Sequence, residues 1–168
     1  MILMNNFKAE PPELRKAMLQ AASRVLESGW YVLGNEVKHF EEQWSRVCGV
    51  SHGIGVGNGM DAIELALLGL SIGAGDEVIT TPMTAFATIL AIIRCGAKPV
   101  LADIDSETAL LSTESVRRCL SAKTKAVVLV HLYGQVRQMD EWVIFCEENN
   151  IMLIEDCAQA HQATWQGK

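Results

Sequence analysis

From Ser51 onward, short apolar runs alternate with longer stretches of helical periodicity, and no other feature restricts the possible folds as much. The alternation is that of βαβ units, so the chain is expected to be α/β, with a mainly parallel sheet and flanking helices. Strands are predicted near Gly53-Val56, Glu77-Thr80, Pro99-Asp103, Ala126-Val130 and Met152-Glu155. The helices between them are predicted over Met60-Leu70, Phe86-Arg94, Thr113-Leu120 and Met139-Asn149. Open parallel sheets bind ligands beyond the carboxyl ends of their strands. The chemistry is therefore expected in Gly57-Asn58-Gly59-Met60-Asp61, Thr81 to Phe86, Asp103 and Asp105, His131-Leu132-Tyr133-Gly134, and Asp156-Cys157-Ala158-Gln159.

The first fifty residues read differently, as a helical lead-in. Pro11 and Pro12 open a helix whose Leu14, Ala17, Met18, Ala21, Ala22 and Val25 recur at helical spacing before Ser28-Gly29. A second helix carries Val37, Phe40, Trp44 and Val47 on one stripe and ends at Gly49. The expected division is residues 1-50 and 51-168. At 168 residues and 49% apolar content, one sizeable core is possible. A net charge of -6 argues against nucleic acid and anionic membranes as partners. The longest apolar run, Ala85 to Ile93, is about half a bilayer span, and MILMNNFKAE lacks the layout of an export signal, so a cytoplasmic protein is expected. Cys48, Cys95, Cys119, Cys146 and Cys157 have neither metal-ligand nor disulfide-framework spacing and are expected to be reduced and mostly buried. No metal is expected.

Gly57-Asn58-Gly59-Met60-Asp61-Ala62 joins a predicted strand to a helix. Glycines allow close backbone approach, and the helix start offers N–H groups and a positive dipole end, which together make a phosphate seat. A tight turn that needs glycine explains the same residues. Gly57, Gly59 and Ala62 also fit a dinucleotide fingerprint, which predicts a nicotinamide oxidoreductase, but the next strand ends Ile79-Thr80-Thr81-Pro82 without the acid that would hold a ribose. Glu155 and Asp156 end the last strand and should face opposite sides of the sheet. A carboxylate placed there beside a ring nitrogen favours the protonated ring; a helix-capping role is the alternative. His131 and Tyr133 can touch a ligand or support their loop, and Asp103 and Asp105 are expected to shape theirs.

Taken together, GVGNGMDAIELAL, GAGDEVITTPMTAFATILAI, GAKPVLADID, KTKAVVLVHLYGQ and IEDCAQAHQATWQGK, with SGWYVLGNEVKHFEEQW before them, resemble the DegT/DnrJ/EryC1/StrS family. These are sugar aminotransferases of the fold-type-I class that use pyridoxal 5'-phosphate. The resemblance implies that residues 51-168 are part of the cofactor-binding large domain. It implies that Gly59, Met60 and Asp61 hold the cofactor phosphate, with Met60 where many relatives have a hydroxyl residue. Asp156 pairs with the pyridinium nitrogen, Gln159 lies near the phenolic oxygen, and His161 borders the site. Relatives stack an aromatic residue on the ring at the position of Ala85; Phe86 either takes that role or is a core aromatic.

The resemblance further implies a sheet order of 3-2-4-5-6-7-1 and a Schiff-base lysine downstream of EDCAQA. Lys168 is not a credible substitute for it. The expectation is thus an N-terminal fragment, inactive alone, of a homodimeric enzyme moving an amino group from glutamate to a dTDP-linked keto-6-deoxyhexose. A sugar dehydratase of the same family, with histidine in place of that lysine, and a non-catalytic interaction fragment are the other readings.

Overall fold

A computed structural model describes residues 6 to 167, which form two compact units, one ending at Gly55 and the other starting at Val56. The first unit is helical. After a short 3-10 turn over Phe7–Ala9, helix α1 (Pro12–Ser28) begins with proline at its first position, where a missing N–H is harmless. It ends at Gly29, whose φ of 65° is the left-handed turn that glycine adopts most cheaply. Helix α2 (Asn35–Val47) is tied to α1 by the Arg24–Glu36 ion pair at 2.7 Å and carries a Phe40–Trp44 stack. The apolar stripes predicted for both helices are present but uncovered: α1 has no buried residue, and in α2 only Ser45 is buried.

The second unit is a four-stranded parallel sheet in the order β2-β1-β3-β4, formed by β1 (Glu77–Thr80), β2 (Lys98–Leu101), β3 (Thr124–Val130) and β4 (Met152–Asp156). Counted in the five predicted strands, this is 3-2-4-5, the first half of the expected order. Pro99 sits in β2, an edge strand, where a missing N–H costs no ladder bond on the open side. Helices α3 (Gly59–Gly69) and α4 (Phe86–Arg94) cover one face, and α5 (Thr113–Arg117) and α6 (Met139–Glu148) the other.

Alternation along the strands builds two cores. Val78, Ala126 and Val128 pack with Ile63, Leu67, Ala91 and Ile92. Ile79, Val127 and Leu129 pack with Val116, Trp142 and Phe145. A third, smaller cluster of Leu110, Val130 and Leu132 closes the carboxyl end of the sheet.

Two expectations are corrected. Gly53-Val56 forms no strand. The N–H of Gly55 donates to Glu41 Oε1 at 2.6 Å, and a Cβ on Gly53 would meet the Glu41 carbonyl oxygen at 2.9 Å, so this backbone is packed on α2 instead of entering a ladder. The cysteines are not mostly buried: Cys95 and Cys146 are, Cys119 is half-buried, and Cys48 and Cys157 are exposed. Burial raises the Cys146 thiol to about 11, leaving it a poor nucleophile at neutral pH. Among the described residues, no helix is long and apolar enough to cross a membrane.

Candidate functional site

The carboxyl end of β4 presents its two acids to opposite faces, following Leu153 and Ile154, which pack into the two different cores. Asp156 lies on the α3/α4 side. Its Oδ2 accepts from the Thr88 hydroxyl at 3.2 Å, and its Oδ1 accepts from the Ala158 N–H at 3.1 Å. Thr88 is buried in the first turn of α4, and its hydroxyl lies 2.9 Å from that of Thr84. Sequence reasoning placed Thr84 within the expected Thr81 to Phe86 segment without a role of its own and missed Thr88. The available signal was a polar residue in the otherwise apolar start of FATILAIIR, four places after another hydroxyl.

Glu155 turns the other way, to His131 Nε2 at 2.9 Å. His131 is 1% exposed, and its backbone N–H donates to the Asp156 carbonyl, so it fastens the end of β3 to the end of β4. The ligating atoms of His131, Glu155 and Cys157 lie within 4.8 Å of one another. A metal on Nε2 would displace the Glu155 bond and leave Nδ1, buried without a partner, as an unsupported N–H; metal-binding histidines normally have that second nitrogen held. The cluster is better explained as a strand clamp.

Asn58 caps α3: its Oδ1 accepts from the Asp61 N–H at 2.9 Å, while its Nδ2 donates to Asp61 Oδ2 at 2.8 Å. This commits the Asp61 N–H, leaving Gly59 and Met60 as the first-turn residues with no intrahelical acceptor. A Cβ on Gly59 would meet nothing within 4 Å, so its backbone faces open space. Arg94 stands beside this helix start, 3.5 Å from Asp61 and 2.9 Å from Glu64. Met60 packs on the same core as Ile154, which puts the α3 start on the Asp156 side of the sheet.

Ala85 is the extended residue before α4, and Phe86 is 66% exposed and belongs to none of the hydrophobic clusters of this unit. Gln159 is exposed, and its Oε1 accepts from the Tyr133 N–H at 2.8 Å. That bond fixes the amide orientation and turns its NH2 group outward as a donor. Tyr133 itself is held at φ 57°, beside Gly134 at φ 81°. His161 is exposed on the turn after β4. Asp105 shapes its loop as expected, with Oδ1 accepting from the Thr108 N–H, the Thr108 hydroxyl and the Glu107 N–H, and the Thr108 bonds hold its carboxyl below the usual range. Lys168 lies outside the described residues. At the end of β1, Thr80 is buried and donates to the Val128 carbonyl at 3.0 Å, so no acid stands where a dinucleotide ribose would need one.

The chain is 45% identical over 154 residues to dTDP-3-amino-3,6-dideoxy-alpha-D-galactopyranose transaminase of Aneurinibacillus thermoaerophilus, covering 92% of this chain and 42% of that protein. It is 39% identical to dTDP-3-amino-3,4,6-trideoxy-alpha-D-glucose transaminase of Streptomyces venezuelae, covering 97% of this chain and 43% of that one. It therefore spans about two fifths of the length of these relatives. The crystal structure of S. venezuelae DesV in complex with a ketimine intermediate superposes with a TM-score of 0.93 at 39% identity, covering 97% of this chain and 44% of DesV. NtdA from Bacillus subtilis with bound cofactor PMP superposes with a TM-score of 0.88 at 27% identity, covering 94% of this chain and 36% of NtdA. The profile of the DegT/DnrJ/EryC1/StrS aminotransferase family matches residues 12–168, and the chain belongs to that family.

Proposed function

We propose that this chain carries part of the pyridoxal 5'-phosphate site of a nucleotide-sugar aminotransferase. In this reading the whole enzyme moves an amino group from glutamate to a keto carbon of a dTDP-linked 6-deoxyhexose. The carrying observation is Asp156, an acid at the carboxyl end of a parallel strand with both carboxylate oxygens held by donors. The residues present fit the cofactor. Gly59 and Met60 offer N–H groups at a helix start to its phosphate, and Arg94 offsets the nearby Asp61 charge. Asp156 would pair with its ring nitrogen, the amide NH2 of Gln159 would donate to its phenolic oxygen, and the exposed Phe86 would be available to cover the ring. The cofactor, when bound, supplies an electron sink. The chain's own residues hold it, keep its ring nitrogen charged and fix its orientation.

The transaminase names of the relatives at 39–45% identity support the sugar substrate. The reaction, its glutamate donor and its nucleotide-sugar acceptor belong to the cytoplasm, and the intact enzyme is proposed to be a homodimer. In this reading none of residues 6–167 supplies the Schiff-base lysine, which the family resemblance implies downstream of EDCAQA, so these residues hold the cofactor without a covalent bond. A helix N-terminus contributes about 0.3–2 kcal/mol to an anion, against roughly 8 kcal/mol for micromolar affinity. Titration of the chain with pyridoxal 5'-phosphate is expected to give weak, saturable binding, with no lysine labelled stoichiometrically after borohydride reduction. The whole reading frame is expected to aminate a dTDP-3-keto-6-deoxyhexose with glutamate. Absence of amination of any dTDP-, UDP- or GDP-linked keto sugar overturns the assignment.

A further inference from the structure

We infer that Thr88 is the positioning residue for Asp156, driven by Thr84 through a two-hydroxyl relay. Thr88 is 1% exposed, and its hydroxyl has one proton to give. Since Asp156 Oδ2, as a carboxylate oxygen, can only accept, the Thr88 proton points to it at 3.2 Å. The Thr88 oxygen is then an acceptor, and the Thr84 hydroxyl at 2.9 Å must be the donor. Bonds aligned this way polarise one another, and the last one ends on a charge. The Ala158 N–H holds the other oxygen at 3.1 Å, so the plane of the carboxylate is fixed from both sides. Both threonines flank the start of α4, with Thr84 just before the helix and Thr88 in its first turn. The segment bearing Ala85 and Phe86 is thereby coupled to the acid at the end of β4. A rotation of Asp156 requires both hydroxyls to turn.

The inference rests on the proposed cofactor reading, and its test separates the two. The carboxyl carbon of Asp156 is observed by NMR at neutral pH in the ligand-free chain, in Thr88→Val, Thr88→Ser and Thr84→Val. Its resonance is expected to move in Thr88→Val, to return in Thr88→Ser, and to move less in Thr84→Val. An unmoved resonance in Thr88→Val overturns the positioning role, whatever the chain binds. The same proteins are then titrated with pyridoxal 5'-phosphate and with its 1-deaza analogue, which has no ring nitrogen to pair with an acid. Thr88→Val is expected to bind the natural cofactor about tenfold more weakly, equivalent to about 1.4 kcal/mol, and the analogue as well as the parent does. Equal losses for both ligands mean a merely structural threonine and overturn the inference. A parent chain that does not prefer the natural cofactor sinks the cofactor reading, while the NMR result still decides the relay.

Discussion

Gln159 does two things with one amide, and substitutions can separate them. Its oxygen is committed to the Tyr133 N–H, at a residue whose positive φ is costly for a side chain of that size. Its NH2 group is the outward donor. Gln159→Ala removes both roles and is expected to lower the stability of the chain by about 1 kcal/mol in urea unfolding, in addition to weakening cofactor binding. Gln159→Glu keeps an acceptor for Tyr133 and replaces the donor with a negative charge. Its stability is expected to stay near that of the parent while affinity for pyridoxal 5'-phosphate falls about tenfold, or about 1.4 kcal/mol. Equal unfolding midpoints for the parent and Gln159→Ala would refute the structural half of this assignment.

Among the elements, α3 takes its side-chain cap from a single residue. Asn58 satisfies one first-turn N–H and holds the Asp61 side chain at the same time. Asn58→Ala is expected to cost about 1 kcal/mol, measured as a lower urea midpoint with an unchanged slope, while Asn58→Ser recovers most of it. This cap also illustrates what the sequence made legible. Glycines and a polar residue between an apolar run and a helix announced a backbone feature, but whether Asp61 offers its N–H outward or to Asn58 depends on one rotamer that no spacing encodes. The helices of the second unit were legible through their apolar period of 3.6, and its strands as short, nearly continuous apolar runs, because helices pack on both faces of the sheet. Gly53-Val56 misled for the opposite reason: its apolar alternation is real, but a strand also needs a ladder partner, and Glu41 took the Gly55 N–H. Asp156 and Gln159 were singled out because they follow the last predicted strand, and the roles expected of them came from resemblance. Thr88 was not, because its importance comes from a contact 68 positions away along the chain.

For the whole molecule, the amino edge of the sheet has its own electrostatic fastening. Glu77 in β1 accepts from the Ser121 hydroxyl at 2.6 Å and from Lys98 of β2 at 2.9 Å, and these bonds, Ser121 first, hold its carboxyl below the ordinary glutamate range. A carboxyl depressed by folding stabilises the protein at pH values above its unfolded pKa of about 4.3. That contribution is lost as pH falls through the lower folded value. The thermal midpoint of the parent is therefore expected to drop more steeply than that of Glu77→Gln as pH falls below about 4.3, with the two curves converging in strong acid. Parallel curves would show that Glu77 does not link sheet stability to pH. At the opposite edge, the pleat of β4 does something that no side chain does alone. Leucine and isoleucine at 153 and 154 are locked into separate cores, and they decide which of two adjacent acids belongs to which side. The strand thus works as a parity switch. An insertion of one residue between Ile154 and Glu155 would leave the composition of the site almost unchanged, yet would hand the clamp's glutamate to Thr88 and send the aspartate to His131.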